Sequence, residues 1–158
     1  MGVMKSLSHI FFVLSIGILQ SQYAHAIQFS LNSIEESIQQ AKTSNKVVFA
    51  YFYSTNCSHC IYMEKNVFTD NELNKLLENS FVAVKSNSGN VIGRMEYYEY
   101  KISAHPTILV LNSRGVELLR IKGRTEKNEL IAMLTEVAGN KVKGLKNAPV
   151  FEEGKKEF

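Results

Sequence analysis

The stretch "KVVFAYFYSTNCSHCIYM", Lys46 to Met63, decides how the rest of the chain reads. It opens as an unbroken β-branched and aromatic run, Lys46 to Tyr53, with no polar alternation. That pattern predicts a strand buried on both faces. The run ends in Cys57 and Cys60, the only two cysteines of the 158-residue chain. The following "SHCIYMEKNVF" lacks Pro and Gly and predicts a helix with Cys60, Met63 and Val67 on one face. The cysteines therefore stand where strand gives way to helix. Two thiols at this spacing suit a metal clip, a structural staple or a redox pair.

The flanking sequence supplies the frame. "SIEE", Ser33 to Glu36, is a capping box for a first helix that runs to about Thr43 with Ile34, Ile38 and Ala41 inward. "TDNE", Thr69 to Glu72, offers a second such box, with Leu73, Leu76 and Leu77 continuing its helix. "FVAVKSN", Phe81 to Asn87, is a second strand, broken by "SGN". "IGRMEYYEYK" is a short helix whose tyrosines read as core packing. "TILVLN", Thr107 to Asn112, and "VELLRIKG" flank the turn "SRG" and predict an antiparallel hairpin. A last amphipathic helix covers Thr125 to Ala138, with Leu130, Ile131, Leu134 and Val137 inward. With a short strand at Ile27 to Ser30, the order is β-α-β-α-β-β-α. The fold class is α/β: a central mixed sheet, parallel in its first half and closed by an antiparallel hairpin, with helices on both faces.

The ends of the chain read differently. Lys5, the apolar run Ile10 to Leu19 and "AHA", Ala24 to Ala26, make a secretory signal peptide over residues 1–26, with cleavage expected after Ala26. A membrane anchor is the weaker reading, because the run falls short of the roughly 20 apolar residues that span a bilayer. No stable membrane insertion is expected after cleavage. The folded domain is placed at residues 27–139, and residues 140–158 form a flexible basic tail. Hydrophobic residues at 45% and charged residues at 21% suit one globular domain. Eighteen basic against fifteen acidic side chains give nucleic-acid binding little support. A periodic repeat or low-complexity tract is absent from the sequence.

Export sharpens the reading of the cysteines. Outside the cytoplasm a disulfide forms and persists. A structural bridge gains most when it closes a long loop, and Cys57–Cys60 closes almost nothing. At a helix start the Cys57 sulfur would lie near unpaired N–H groups and the positive end of the helix dipole, which favour its thiolate. The thiolate is the attacking species in disulfide exchange. Cys57 is then the nucleophile, and Cys60, one turn on, the resolving thiol. The pattern of C-x-x-C between strand and helix in a β-α-β setting is of thioredoxin type. A metal site for copper or zinc would have to recruit Cys57, Cys60, His59 and His105, yet His59 lies inside the turn with its ring directed away from the flanking sulfurs. The better role for His59 is electrostatic, stabilising the Cys57 thiolate; its bland alternative is an exposed turn residue. Pro106 precedes a central strand, where a missing N–H is least damaging. A cis His105–Pro106 bond would expose the backbone of His105 to an extended substrate, while trans is the commoner state.

Across roughly residues 30–138 the chain resembles thioredoxin-fold oxidoreductases. The matching stretches are "VVFAYFYSTNCSHC", "VFTDNELNKLLENSFVAVKSN", "AHPTILVLNSRGVELLRIKGR" and the closing helix. It looks most like exported thioredoxin-like proteins related to the periplasmic C-terminal domain of DsbD. The resemblance implies a cis Pro106 facing the C-x-x-C, with Thr107 as its neighbour in a substrate groove. Three departures accompany it. Asn56 stands where the family usually has Trp. Tyr51 stands where thioredoxins carry a buried carboxylate that moves protons to and from the resolving thiol. The Ser58–His59 dipeptide replaces Gly-Pro and is similar to oxidising or isomerising members. Lys85 resembles a thioredoxin lysine near the active site, so Tyr51, His59 and Lys85 become the tuning residues. Glu64 reads as a solvated helix-face charge.

The resulting expectation is a periplasmic or secreted thiol-disulfide oxidoreductase. It would exchange disulfides with protein cysteines and be served by a membrane or periplasmic redox partner. Its redox-active disulfide would serve in place of any cofactor, and no metal would be bound. The direction of electron flow stays open, since overall resemblance favours the reducing branch and His59 with the missing acid favours the oxidising one. A metal- or partner-binding module without redox turnover is the alternative.

Overall fold

The structure is a computed structural model, and it describes residues 27–30 and 33–142. The expected signal peptide and all but the start of the expected tail lie outside these residues. Five α-helices and four strands are found among the described residues: α1 Ile34–Ser44, β1 Val47–Tyr53, α2 Ser58–Tyr62, α3 Asn71–Ser80, β2 Phe81–Asn87, α4 Val91–Glu99, β3 Thr107–Leu111, β4 Glu117–Lys122 and α5 Lys127–Val142. A π-helical segment, Met63–Val67, continues α2.

The sheet order is β2-β1-β3-β4. β1 runs parallel to β2 and antiparallel to β3, and β3 pairs antiparallel with β4. The mixed sheet and its closing hairpin match the sequence expectation. Gly115 takes φ 77° in the hairpin turn, a conformation that L side chains rarely adopt.

Alternation along the central strands explains why β1 is apolar throughout. Val47, Phe49 and Tyr51 face one layer with Ile108 and Val110; there they meet Met63, Val67 and Phe68 after α2, Leu73 and Leu77 of α3, and Leu130 and Leu134 of α5. Val48, Ala50 and Phe52 face the other, with Leu109 and Leu111, against Ile34, Ile38 and Ala41 of α1. Each face of the sheet thus has its own apolar layer, and β1 and β3 serve both.

Several local expectations need correction. The cysteine helix does not run as one α-helix to Phe68; from Met63 it widens to π-helical i→i+5 bonding, closed by Phe68 N donating to Met63 O at 2.9 Å. Asp70, not Thr69, caps α3, accepting from the N–H groups of Glu72 at 2.9 Å and Leu73 at 3.1 Å. Thr69 Oγ1 instead donates back to Lys65 O. The Ile27–Ser30 segment makes only an isolated parallel bridge, Ser30 to Val84, although Phe29 joins the core rings. α5 continues through Gly139 to Val142.

α4 packs differently from the other helices. Gly93 lies so close to the end of β2 that an added Cβ would sit 1.9 Å from the Asn87 carbonyl oxygen. Its inner face carries Glu96, whose buried carboxylate accepts from the backbone N–H of Ile34 at 2.9 Å, joining α4 to the first turn of α1. Tyr97 and Tyr100 pack edge-on or tilted against Phe52. Its outer face exposes Val91, Ile92, Met95 and Tyr98. Among the described residues no helix is long and apolar enough to cross a membrane.

Candidate functional site

β1 ends at Tyr53, and four residues later Cys57 acts as the N-cap of α2. Its backbone is extended (φ −90°, ψ 111°), and its Sγ accepts from Cys60 N at 3.1 Å. A sulfur here fills the capping role usually taken by a side-chain oxygen, satisfying one of the helix's orphan donors. Cys57 and Cys60 form a disulfide, with Cα atoms 5.2 Å apart. Cys57 is half-buried, whereas Cys60 is 1% exposed. Only the first sulfur is therefore open to a partner. Tyr62 pins the helix from below: its hydroxyl donates to Glu126 at 2.8 Å, and Arg124 lies over its ring at 4.2 Å.

The proline loop approaches from β3. Thr107 is paired with Phe52 near the end of β1, which sets Pro106 alongside the segment leading to Cys57. The His105–Pro106 bond is cis. The Pro106 carbonyl accepts from Gly123 N at 2.7 Å, and Thr107 Oγ1 donates to Ala104 O at 2.9 Å. Lys101 enters the loop in the left-handed region, φ 51°. The His105 ring packs tilted against Tyr97, with ring centroids 4.9 Å apart, and its Nε2 is buried without a hydrogen-bond partner. Burial holds the imidazole below its usual pKa, so it favours the neutral ring. The Tyr97 hydroxyl in turn donates to Tyr53 O, tying α4 to the end of β1.

Beneath the disulfide, Tyr51 is fully buried and its hydroxyl donates to the Cys60 carbonyl at 3.3 Å. Its ring stacks on Tyr53 and meets Phe68 edge-on at 4.8 Å. Burial first, and then the Glu64 carboxylate, push its phenol well above the usual tyrosine range, so it stays protonated. Lys85, its partner on the parallel neighbour β2, lies over the rings of Tyr53 at 5.0 Å and Phe29 at 5.6 Å. Its Nζ is 3.6 Å from Glu64 Oε1.

The structure thus gathers Cys57, Cys60, Tyr51 and Lys85 in one place, and brings the His105–Thr107 segment alongside the end of β1. His59 is exposed on α2. Glu64, expected as a solvated helix-face charge, keeps 40% of its side chain exposed, but its contact with Lys85 was not foreseen. Its Oε1 is buried and turned toward Lys85. Tyr97 was also missed as a support of His105. Among the described residues no group of three or more His, Cys, Asp or Glu is arranged to hold a metal.

A family model described as "Thioredoxin-like domain" matches residues 34–138. Among solved structures, a thioredoxin from Thermus thermophilus is 23% identical, with a TM-score of 0.63, over 72% of this chain and 88% of that one. A candidate disulphide-isomerase from Bacteroides thetaiotaomicron is 27% identical, also with a TM-score of 0.63, over 73% and 95%. The oxidised C-terminal domain of Neisseria meningitidis DsbD is 17% identical with a TM-score of 0.55, over 70% and 98%, a likeness of fold. The comparison with curated proteins finds no match.

Proposed function

The chain belongs to the thioredoxin-like domain family, and on that premise we propose that it is an exported thiol-disulfide oxidoreductase acting on protein cysteines. The observation that carries this reading is the asymmetric disulfide at the start of α2. Cys57 caps the helix and is accessible, while Cys60 is sealed one turn below it. Reduced, Cys57 has the helix N–H groups to stabilise its thiolate, with the charge of His59 as a second influence two residues on.

The thiolate attacks a client disulfide, forming a Cys57 mixed disulfide and releasing one client thiolate. Cys60 then attacks Cys57 Sγ, closing the Cys57–Cys60 bond and releasing the second client thiolate. Two electrons pass to the client. The same steps run backward oxidise a client dithiol. Which way the chain works is set by its reduction potential against that of its partner, where 30 mV corresponds to about 1.4 kcal/mol. His105, Pro106 and Thr107 form the side of the groove along which an extended client would lie. Residues 1–26 serve as the export signal, and the domain expected over residues 27–139 extends with α5 to Val142, ahead of a basic tail.

Insulin disulfide reduction tests the reading. Cys57→Ala abolishes it, whereas Cys60→Ala accumulates a covalent client adduct visible on a non-reducing gel. Full activity in Cys57→Ala ends the proposal.

A further inference from the structure

We propose that the outer face of α4 is a self-association surface, on which a second copy of this chain docks with its own α4 side by side and parallel. The inference goes beyond disulfide exchange and does not depend on it.

Large hydrophobic side chains exposed singly are ordinary. Ile61 on α2 and Val116 ahead of β4 are of that kind. On α4, Val91, Ile92, Met95 and Tyr98 are between 62% and 84% exposed, all within one nine-residue helix. Val91, Met95 and Tyr98 are spaced by four and then three, so they form a single stripe along it. Gly93, Glu96 and Tyr97 turn the opposite way, against Asn87, the Ile34 amide and Phe52. The inner face of α4 is therefore already packed, and the stripe is a second apolar face with nothing on it among the described residues.

Spacings of four and three are those of the d, a and d positions in a coiled-coil seam. In that register Arg94 stands at g and Glu99 at e, on opposite flanks of the stripe. Both are exposed, and neither makes an ion pair among the described residues. Two parallel helices related by a two-fold axis along the seam bring g of one against the e five residues further on in the other. Arg94 of each copy then meets Glu99 of the other. An antiparallel pairing sets Arg94 against its own copy and Glu99 against its own copy, which repels. The flanking charges thus make the face complementary to itself and choose its direction, as an isologous contact requires. A membrane surface instead calls for several basic side chains on the polar flanks, and α4 carries one.

An isolated helix of this length would not hold its shape in water. Here Asn90 caps it, accepting from Gly93 N at 2.7 Å, and Glu96 and Tyr97 anchor its inner side. The stripe is presented preformed, so docking carries little ordering cost. One short helix from each copy makes a small interface, under the roughly 1,200 Å² of stable complexes. The dimer is accordingly weak and depends on concentration.

Sedimentation equilibrium of the mature chain, Ile27 to Phe158, tests this. The Cys57–Cys60 disulfide is kept oxidised so that no bridge between copies contributes. Between about 10 µM and 1 mM at low salt, the average mass should rise from one copy toward two. Arg94→Glu turns both ion pairs into repulsions and should weaken association about fivefold or more. Adding Glu99→Arg to that variant should restore it, and about 0.5 M salt should shrink the difference. Met95→Lys should weaken association at least about tenfold, and Tyr98→Ser gives the same loss by a second route. All are exposed positions, so thermal midpoints should stay within about 3 °C of wild type. A chain that keeps single-copy mass to 1 mM overturns the proposal, whether or not it sediments with phospholipid vesicles. Association that Arg94→Glu leaves unchanged, the antiparallel result, also overturns it. So does association that neither Met95→Lys nor Tyr98→Ser weakens, which would put the contact on another face.

Discussion

His105 is held in a position that disfavours its own charge. It is packed on Tyr97, with Nε2 buried and unbonded, so its folded pKa lies below the unfolded value of 6.5. The sign of the consequence follows from proton counting. Above about pH 6.5 both states hold a neutral ring and the burial of His105 costs nothing extra. As pH falls below that value the unfolded chain takes up the proton first, and stability declines until the folded pKa is passed. Urea unfolding of the wild type and His105→Gln between pH 7.5 and 5 should therefore show a flatter pH dependence in the variant; parallel curves would rule this out. The two cysteines and the proline were legible in the sequence because spacing and chain position alone single them out. The inward turn of Glu64 was not. A charge at the border of a buried helix face is directed by what lies opposite, and Lys85 comes from a strand two elements further along the chain.

Elements with a strong local signal were read correctly: the β-branched and aromatic strands β1 and β2, the β3–β4 hairpin and the capped α1. The π-helical widening at Met63–Val67 escaped, because Cys60, Met63 and Val67 stay on one buried face whether the backbone hydrogen bonds span four residues or briefly five. The cap of α3 escaped because Thr69 and Asp70 are both good cap residues, and only backbone geometry chooses between them. Helix propensity misleads at Gly93. In an exposed helix, Gly→Ala gains up to about 1 kcal/mol. Here the added methyl would meet the Asn87 carbonyl at 1.9 Å, so α4 must move away from the end of β2. Gly93→Ala should destabilise the protein by about 1–3 kcal/mol in chemical denaturation. It should also weaken disulfide exchange, because Tyr97 on this helix supports His105. A stabilised variant would show that α4 shifts freely.

At the scale of the molecule, one strand serves two apolar layers, and that much was visible in a run of residues without polar alternation. Phe49 shows how far the arrangement is shared. Its ring lies 6.5 Å from Phe29, 6.2 Å from Phe68 and 6.5 Å from Phe81, joining β1 to three separate segments. Removing it leaves a cavity between all of them. Phe49→Ala should cost about 3–5 kcal/mol, a large part of the roughly 5–15 kcal/mol that holds a domain together. Urea titration followed by both circular dichroism and disulfide exchange should give one coincident, lowered midpoint; a loss below about 1 kcal/mol would mean that the two layers do not depend on this ring. What the sequence could not convey was the contact between the helices on the opposite layer, since it joins residues 62 positions apart through a single carboxylate.

That carboxylate makes the Ile34 amide an internal gauge. Its hydrogen is shielded from deuterium only while Glu96 sits against it, and Glu96 sits there only while α4 is docked. A proton near the beginning of the domain thus records, by how slowly it is replaced, each excursion of the helix that leads into the proline loop.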